Sequence, residues 1–242
     1  MTNPPPLMRP LDAGVLTLTE RTIDAVRKAI RTGELVPGEL YSVYRIAEDL
    51  GISRSPVRDA LLRLAETGIV RFEKNKGFRI VIPGSRELAE MISVRIALEV
   101  PAAGRAAAHA TKSNSARLLS EFRAMEKAAQ KNDERSFMVH DQRLHAIILE
   151  LSGNSYVHRI IDNLRDATHL VGASTFKQSR TLRDVYEEHR PIVESIVSGD
   201  RKLAERAMEQ HLKETGMILL QDALEREGQD RSSEAIWAKF VE

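Results

Sequence analysis

Strand-like alternation of apolar and polar residues ends at Ile82, and everything after it reads as helix. From there the apolar residues recur three and four positions apart, the spacing of one helical face. The pattern predicts helices near 85–109, 115–131, 133–152, 155–171, 178–198 and 200–226. Breaks are expected at Ser113-Asn114, Gly153-Asn154 and Gly199-Asp200. Pro101 falls inside the first of these helices, where a missing N–H and a ring clash predict a kink. Residues 84–228 are therefore expected to form an all-α bundle. In the tail, 229–242, Ile236, Trp237, Phe240 and Val241 keep helical spacing and suggest a short docking helix.

Pro83-Gly84-Ser85 is the strongest domain boundary. Before it, residues 1–14 read as a loose arm with four prolines. Residues 15–83 read differently. A helix is expected from about Thr19 to Thr32, with Ile23, Val26 and Ile30 on one face, stopped by Gly33. A short helix from Val43 to Leu50 follows, with Gly51 as a left-handed C-cap. A third opens near Ser53 or Ser55, tolerates Pro56 in its first turn, and runs to about Thr67. Val70 and Phe72, then Phe78, Ile80 and Ile82, alternate with polar or flanking residues around a Lys74-Asn75-Lys76-Gly77 tip, which predicts a β-hairpin. Three short helices and a hairpin make a winged helix-turn-helix. The fold class is mainly α, with this unit ahead of the helical bundle.

Composition narrows the chemistry. With no cysteine there is no disulfide framework, thiol nucleophile or cysteine-ligated metal. No run of eighteen apolar residues is present, so no membrane span is expected, and the N-terminus lacks the order of a signal peptide. A cytoplasmic location is expected. Residues 1–84 carry 13 Lys/Arg against 10 Asp/Glu, and residues 85–242 carry 23 against 25. The excess hints that an anionic partner meets the N-terminal part.

In a helix-turn-helix the second helix enters the major groove with its N-terminal residues nearest the bases. Here that end is Ser53-Arg54-Ser55-Pro56-Val57-Arg58. Arg54 and Arg58, four apart, share a face, and a guanidinium can take guanine O6 and N7 together. Ser53 and Ser55 suit phosphate, as do Lys74, Lys76 and Gly77 at the hairpin tip. The bland alternative is a solvated helix surface. Against it stands a longer pattern. Ile30-x-x-Gly33-x-Leu35-x-Pro37-Gly38-x-Leu40, Ile46-Ala47-x-x-Leu50-Gly51-Ile52-Ser53-Arg54-x-Pro56-Val57-Arg58-x-Ala60-Leu61-x-x-Leu64, Gly68-Ile69-Val70 and Gly77-Phe78 resemble the DNA-binding domain of the GntR family of bacterial transcription regulators. One segment departs: a Ser-Glu-Arg-like run is replaced by Ser42-Val43-Tyr44-Arg45, leaving Arg45 or Tyr44 to take the phosphate contact expected there.

All seven histidines lie in the helical part. Asp141 and His145, four apart, share a face, and His189 and His211 sit on two later helices. One Asp and three His would form an oxygen–nitrogen site suited to Zn, Ni, Mn or Fe. Surface or core histidines are the plain alternative. Residues 88–215 resemble the FCD ligand-binding domain of FadR-type GntR regulators, through Val94-Arg95-x-x-Leu98-Glu99, Asp141-x-x-Leu144-His145, Ser152-Gly153-Asn154, Glu188-His189-x-x-Ile192, Gly199-Asp200-x-x-x-Ala204 and Met208-x-x-His211-Leu212. The resemblance implies Asp141, His145, His189 and His211 as ligands of a divalent metal. It also implies Arg95 as a contact for a small organic acid effector; Arg180, in the loop or helix start before His189, is a further candidate. His140 is expected at the surface, and His109, His158 and His169 as structural. Arg95 and Glu99 are otherwise an ordinary helical ion pair.

The combined expectation is a ligand-responsive regulator that binds palindromic operator DNA as a homodimer. Two alternatives remain: a metal-sensing repressor, in which the metal is the signal, and a helical-bundle metalloenzyme.

Overall fold

The computed structural model describes residues 17–66, 68–175 and 180–241, with side chains for all of these except 31, 166 and 169–175. The expected arm over 1–14 and the side chain of His169 lie outside them. The protein is mainly α, with a small winged-helix sheet near its N-terminus.

Helix α1 (Leu18–Arg31) starts at Thr17, whose hydroxyl accepts from the Glu20 N–H while the Glu20 carboxylate accepts from the Thr17 N–H. Strand β1 (Leu40–Tyr41) leads into α2 (Val43–Leu50), which ends at Gly51 with φ 65°. Helix α3 (Arg54–Glu66) follows, then β2 (Val70–Glu73) and β3 (Gly77–Ile80). The sheet order is β1-β3-β2, antiparallel throughout. Strand β1 was not expected: two residues are too few to show a period. Ile82 lies beyond β3, so the hairpin is shorter than its alternation. Val26, Val57, Leu61, Leu64, Phe78 and Ile80 form the core of this unit.

Gly77 closes the wing. Its φ is 132°, and a Cβ there would lie 2.0 Å from the Tyr41 carbonyl oxygen. Only glycine fits both the dihedral and the space. Gly77→Ala is expected to destabilise the protein by about 2–3 kcal/mol, read by chemical denaturation.

The helical part contains α4 (Ser85–Ala108), α5 (Lys112–Gln130), α6 (Glu134–Leu151), α7 (Ser155–Thr175), α8 (Leu182–Ser198), α9 (Arg201–Glu227) and α10 (Ser233–Phe240). Helix α4 runs on through Pro101. The break expected at Ser113-Asn114 lies earlier. Thr111 caps α5, and Asn114 returns the capping bond, so both residues are already in the first turn. Helix α8 starts at Leu182, where Thr181 and Asp184 form another capping box. At the start of α4 the Ser85 N–H and hydroxyl donate to the Glu227 carboxylate at the end of α9, at 2.8 and 2.7 Å. Ile236 and Trp237 of α10 bury against Leu88, Ile92 and Leu220. Among the described residues no helix is long and apolar enough to cross a membrane.

Candidate functional site

The first candidate surface is the exposed N-terminal end of α3. Ser53, Arg54, Ser55 and Arg58 are all exposed there, while Val57 and Leu61 of the same helix are buried. The Arg54 guanidinium lies over the Tyr44 ring, 5.2 Å from its centroid, so the aromatic face of α2 supports the first arginine of α3. Arg45 pairs with Asp49 at 3.1 Å, one turn along α2 and in solvent. Such a pair contributes little and opens readily. At the wing tip Lys74 and Lys76 are exposed beside Asn75, which holds φ 59°.

The second candidate is buried in the helical part. His145 of α6, His189 of α8 and His211 of α9 offer ligand atoms that all lie within 4.8 Å of one another. All three side chains are buried. The His145 and His189 Nε2 atoms are 3.1 Å apart. Two nitrogens on one metal at about 2.0–2.1 Å, at tetrahedral or octahedral angles, lie about 2.8–3.4 Å apart. The second ring nitrogens are braced from behind. His189 Nδ1 donates to the Val185 carbonyl at 2.7 Å, which turns Nε2 toward Asp141 and His145. His145 Nδ1 faces Glu99 Oε2 at 3.4 Å. Carboxylates and carbonyls behind imidazoles are what orient metal-binding histidines.

Asp141 stands beside this triad. Its Oδ1 is 2.9 Å from His189 Nε2 and 4.0 Å from His145 Nε2, and its Oδ2 accepts from Arg165 at 2.7 Å. Arg95 lies against the same centre but is occupied: its Nε donates to Glu99 Oε1 at 2.6 Å, and Nη1 reaches the Thr168 hydroxyl at 3.4 Å. Arg180 donates to Glu188 Oε2 at 2.7 Å, and that oxygen is 3.9 Å from His211 Nδ1.

The electrostatics follow from burial. Burial pushes the His145 imidazole down to about 4, and the Arg165 guanidinium adds to the effect. Burial, then the neighbouring His189 and His145, hold His211 well below its ordinary value. Both rings are therefore neutral at pH 7, the form that ligates metal. Burial alone would raise Glu99 and Asp141 and is the largest single influence on each, but Arg95 with His145 and Arg165 around Glu99, and Arg165 with His189 and His145 around Asp141, together outweigh it and keep both carboxyls below the usual range. Among the described residues, several buried polar atoms without a hydrogen bond belong to this group: Glu99 Oε2, His145 Nδ1, His211 Nδ1, Arg165 Nε and Arg180 Nε. Unmet polar groups this close together are unusual in a sealed core. The donor set and its bracing fit a divalent metal.

Other histidines go elsewhere. His140 is half-buried, with Nδ1 2.7 Å from Glu121 Oε2. His109 Nδ1 is 3.1 Å from the Leu151 carbonyl, and His158 lies 3.7 Å from Asp162. Arg165 and Thr168 were not singled out in the sequence. No motif marks them, because only the packing of α7 turns them inward.

The chain thus joins a winged helix to a helical domain with a buried polar centre. Residues 18–80 match the family described as bacterial regulatory proteins, gntR family, and residues 90–214 match the FCD domain. The chain belongs to the GntR family, in its FadR-type, FCD-bearing branch, and is a transcription regulator rather than an enzyme. A relative from Paenarthrobacter nicotinovorans, named "Probable D-xylose utilization operon transcriptional repressor", is 31% identical over 84% of this chain and 91% of its own length. The regulator LutR of Bacillus subtilis is 26% identical over 78% of this chain and 95% of its own. Among solved structures, E. coli McbR/YncC superposes with a TM-score of 0.77 at 21% identity, covering 86% of this chain and 99% of that one. That likeness concerns the fold.

Proposed function

We propose that the chain is a cytoplasmic, ligand-responsive regulator that binds palindromic operator DNA as a homodimer and answers to a metal-centred pocket in its FCD domain. The observation that carries this reading is the buried triad of His145, His189 and His211, with unpaired polar atoms around it. These three imidazoles would hold a divalent ion, Zn, Ni, Mn or Fe, with Asp141 as the adjacent oxygen donor. The ion would supply a positive centre for a carboxylate oxygen of a small organic acid. Arg95 and Arg180 flank that position, each already paired with a carboxylate. The two-fold symmetry of a dimer matches a palindromic site.

Arg54 and Arg58 are proposed to read bases, with Ser53, Ser55, Lys74, Lys76 and Gly77 on the backbone. Among the described residues Arg58 makes no ion pair or hydrogen bond, so its donors face solvent. Arg58→Ala is expected to reduce affinity for a duplex selected by the wild type from a random pool by about 1–3 kcal/mol, and to relax one base preference per half-site. Unchanged affinity and preference would move the reading surface elsewhere.

The metal reading is tested by heat. Protein stripped with a chelator and returned to zinc at about 100 times its dissociation constant should gain about 2.7 kcal/mol, a rise of about 5–10 °C in Tm. No rise with zinc, nickel or manganese would remove the metal from the account. A second reading, that the metal is itself the signal, is favoured by the engagement of the Arg95 and Arg165 guanidiniums with Glu99 and Asp141. Operator affinity that responds to zinc alone, with no further effect from a panel of small carboxylates, would establish it.

A further inference from the structure

Helix α7 belongs to the helical domain, yet one of its residues sits in the other domain's core. Ala167 is buried in the cluster built by Val26 and Ile30 of α1 and by Leu61 and Leu64 of α3. One turn earlier, Asn163 Oδ1 accepts from Arg27 of α1. The opposite side of α7 faces the histidine centre. Arg165 donates to Asp141 at 2.7 Å and lies 3.9 Å from Glu99, and Thr168 receives Arg95. At about 100° per residue, the Asn163/Ala167 pair and the Arg165/Thr168 pair point about 150° apart. All four positions fall within about 7.5 Å along the axis.

We propose that α7 couples the two domains, with Arg165 and Thr168 registering the charge state of the centre and Asn163 and Ala167 positioning α1. This inference rests on the metal reading above and adds the route by which the centre acts on DNA binding.

The physical argument has three steps. First, Arg165 is the arginine that holds Asp141, and its own Nε has no hydrogen bond. Its balance therefore depends on the charge at the triad: added positive charge there weakens its hold on Asp141, and an added anion offers its free donor a partner. Second, the Arg165 side chain is buried, and buried side chains shift with their helix rather than swinging into solvent. A 10° rotation of α7 displaces its outer side chains by on the order of 1 Å. Third, that displacement cannot be absorbed at the far face. Ala167 is 2% exposed and packed among α1 and α3 residues, so α1 follows. Helix α1 is packed on α3, the helix that carries Arg54 and Arg58.

The test uses the full chain, stripped of metal and titrated with zinc. Calorimetry reads binding, and hydrogen exchange reads the amides of residues 18–31. In the wild type, zinc is expected to change exchange across 18–31 by at least about three-fold. Asn163→Ala, which touches α1 and not the centre, should bind zinc within about two-fold of the wild type and lose most of that response. Arg27→Ala, cutting the same contact from the other side, should lose it too. Zinc bound by the wild type with exchange in 18–31 unchanged would overturn the coupling and leave the metal site standing. A full response in both single variants would also overturn it. A wild type that binds no zinc would overturn the site itself, and the coupling with it.

Discussion

His189→Ala is expected to lower zinc affinity by about 100-fold or more, since losing a ligand should exceed the 10–100-fold effect of losing a residue behind a ligand. His189 is the best-defined member of the triad. Its Nδ1 is spent on the Val185 carbonyl at 2.7 Å, so Nε2 has no role except toward His145, Asp141 and whatever lies between them. The substitution should leave metal-free DNA binding intact, because His189 lies outside the cluster of Val57, Leu61, Phe78 and Ile80 on which the winged helix is built. Calorimetry with zinc and anisotropy with operator duplex, run on the same preparation, read the two effects separately. Zinc affinity within a few-fold of the wild type would move the ligand role to other residues.

The largest stability effect is expected at Glu99. Its carboxylate receives Arg95 at 2.6 Å, and both side chains are buried in α4. It also faces His145 Nδ1 at 3.4 Å and Arg165 at 3.9 Å. Glu99→Ala strands the Arg95 guanidinium, which burial already disfavours. Removing one partner of a buried ion pair costs about 3–5 kcal/mol. For a chain of this size that is a fall of about 6–20 °C in Tm. Glu99→Gln, which keeps the shape and one acceptor oxygen, should lose less. A Glu99→Ala protein as stable as the wild type would mean that Arg95 finds solvent or another acceptor.

Much of the fold was legible because its signals are local. Gly51 marks the end of α2, Gly199 the end of α8, and the period-two run the wing. The errors are local too. Ser113-Asn114 looks like a loop by composition, but Thr111 claims the cap and Asn114 completes it inside the helix. Strand β1 is two residues long and exists because Tyr41 pairs with Phe78. The candidate centre divides in the same way. Asp141 and His145 carry a readable four-residue spacing, while His189 and His211 came from the likeness to a known domain. Arg165 had no sequence mark: its direction is set by which face of α7 packs on α6. The Arg95–Glu99 pair was readable from its four-residue spacing, and the structure forms it, since a buried guanidinium takes the carboxylate one turn away.

The central claim is that the histidine centre governs DNA binding, and operator affinity across metal states tests it most directly. Affinity is measured for the wild type and for the His189→Ala/His211→Ala variant, each stripped of metal, with zinc, and with zinc plus a panel of small carboxylates. The account predicts a shift of about ten-fold or more in the wild type under at least one loaded condition, and none in the variant. A variant that responds at wild-type concentrations would contradict it.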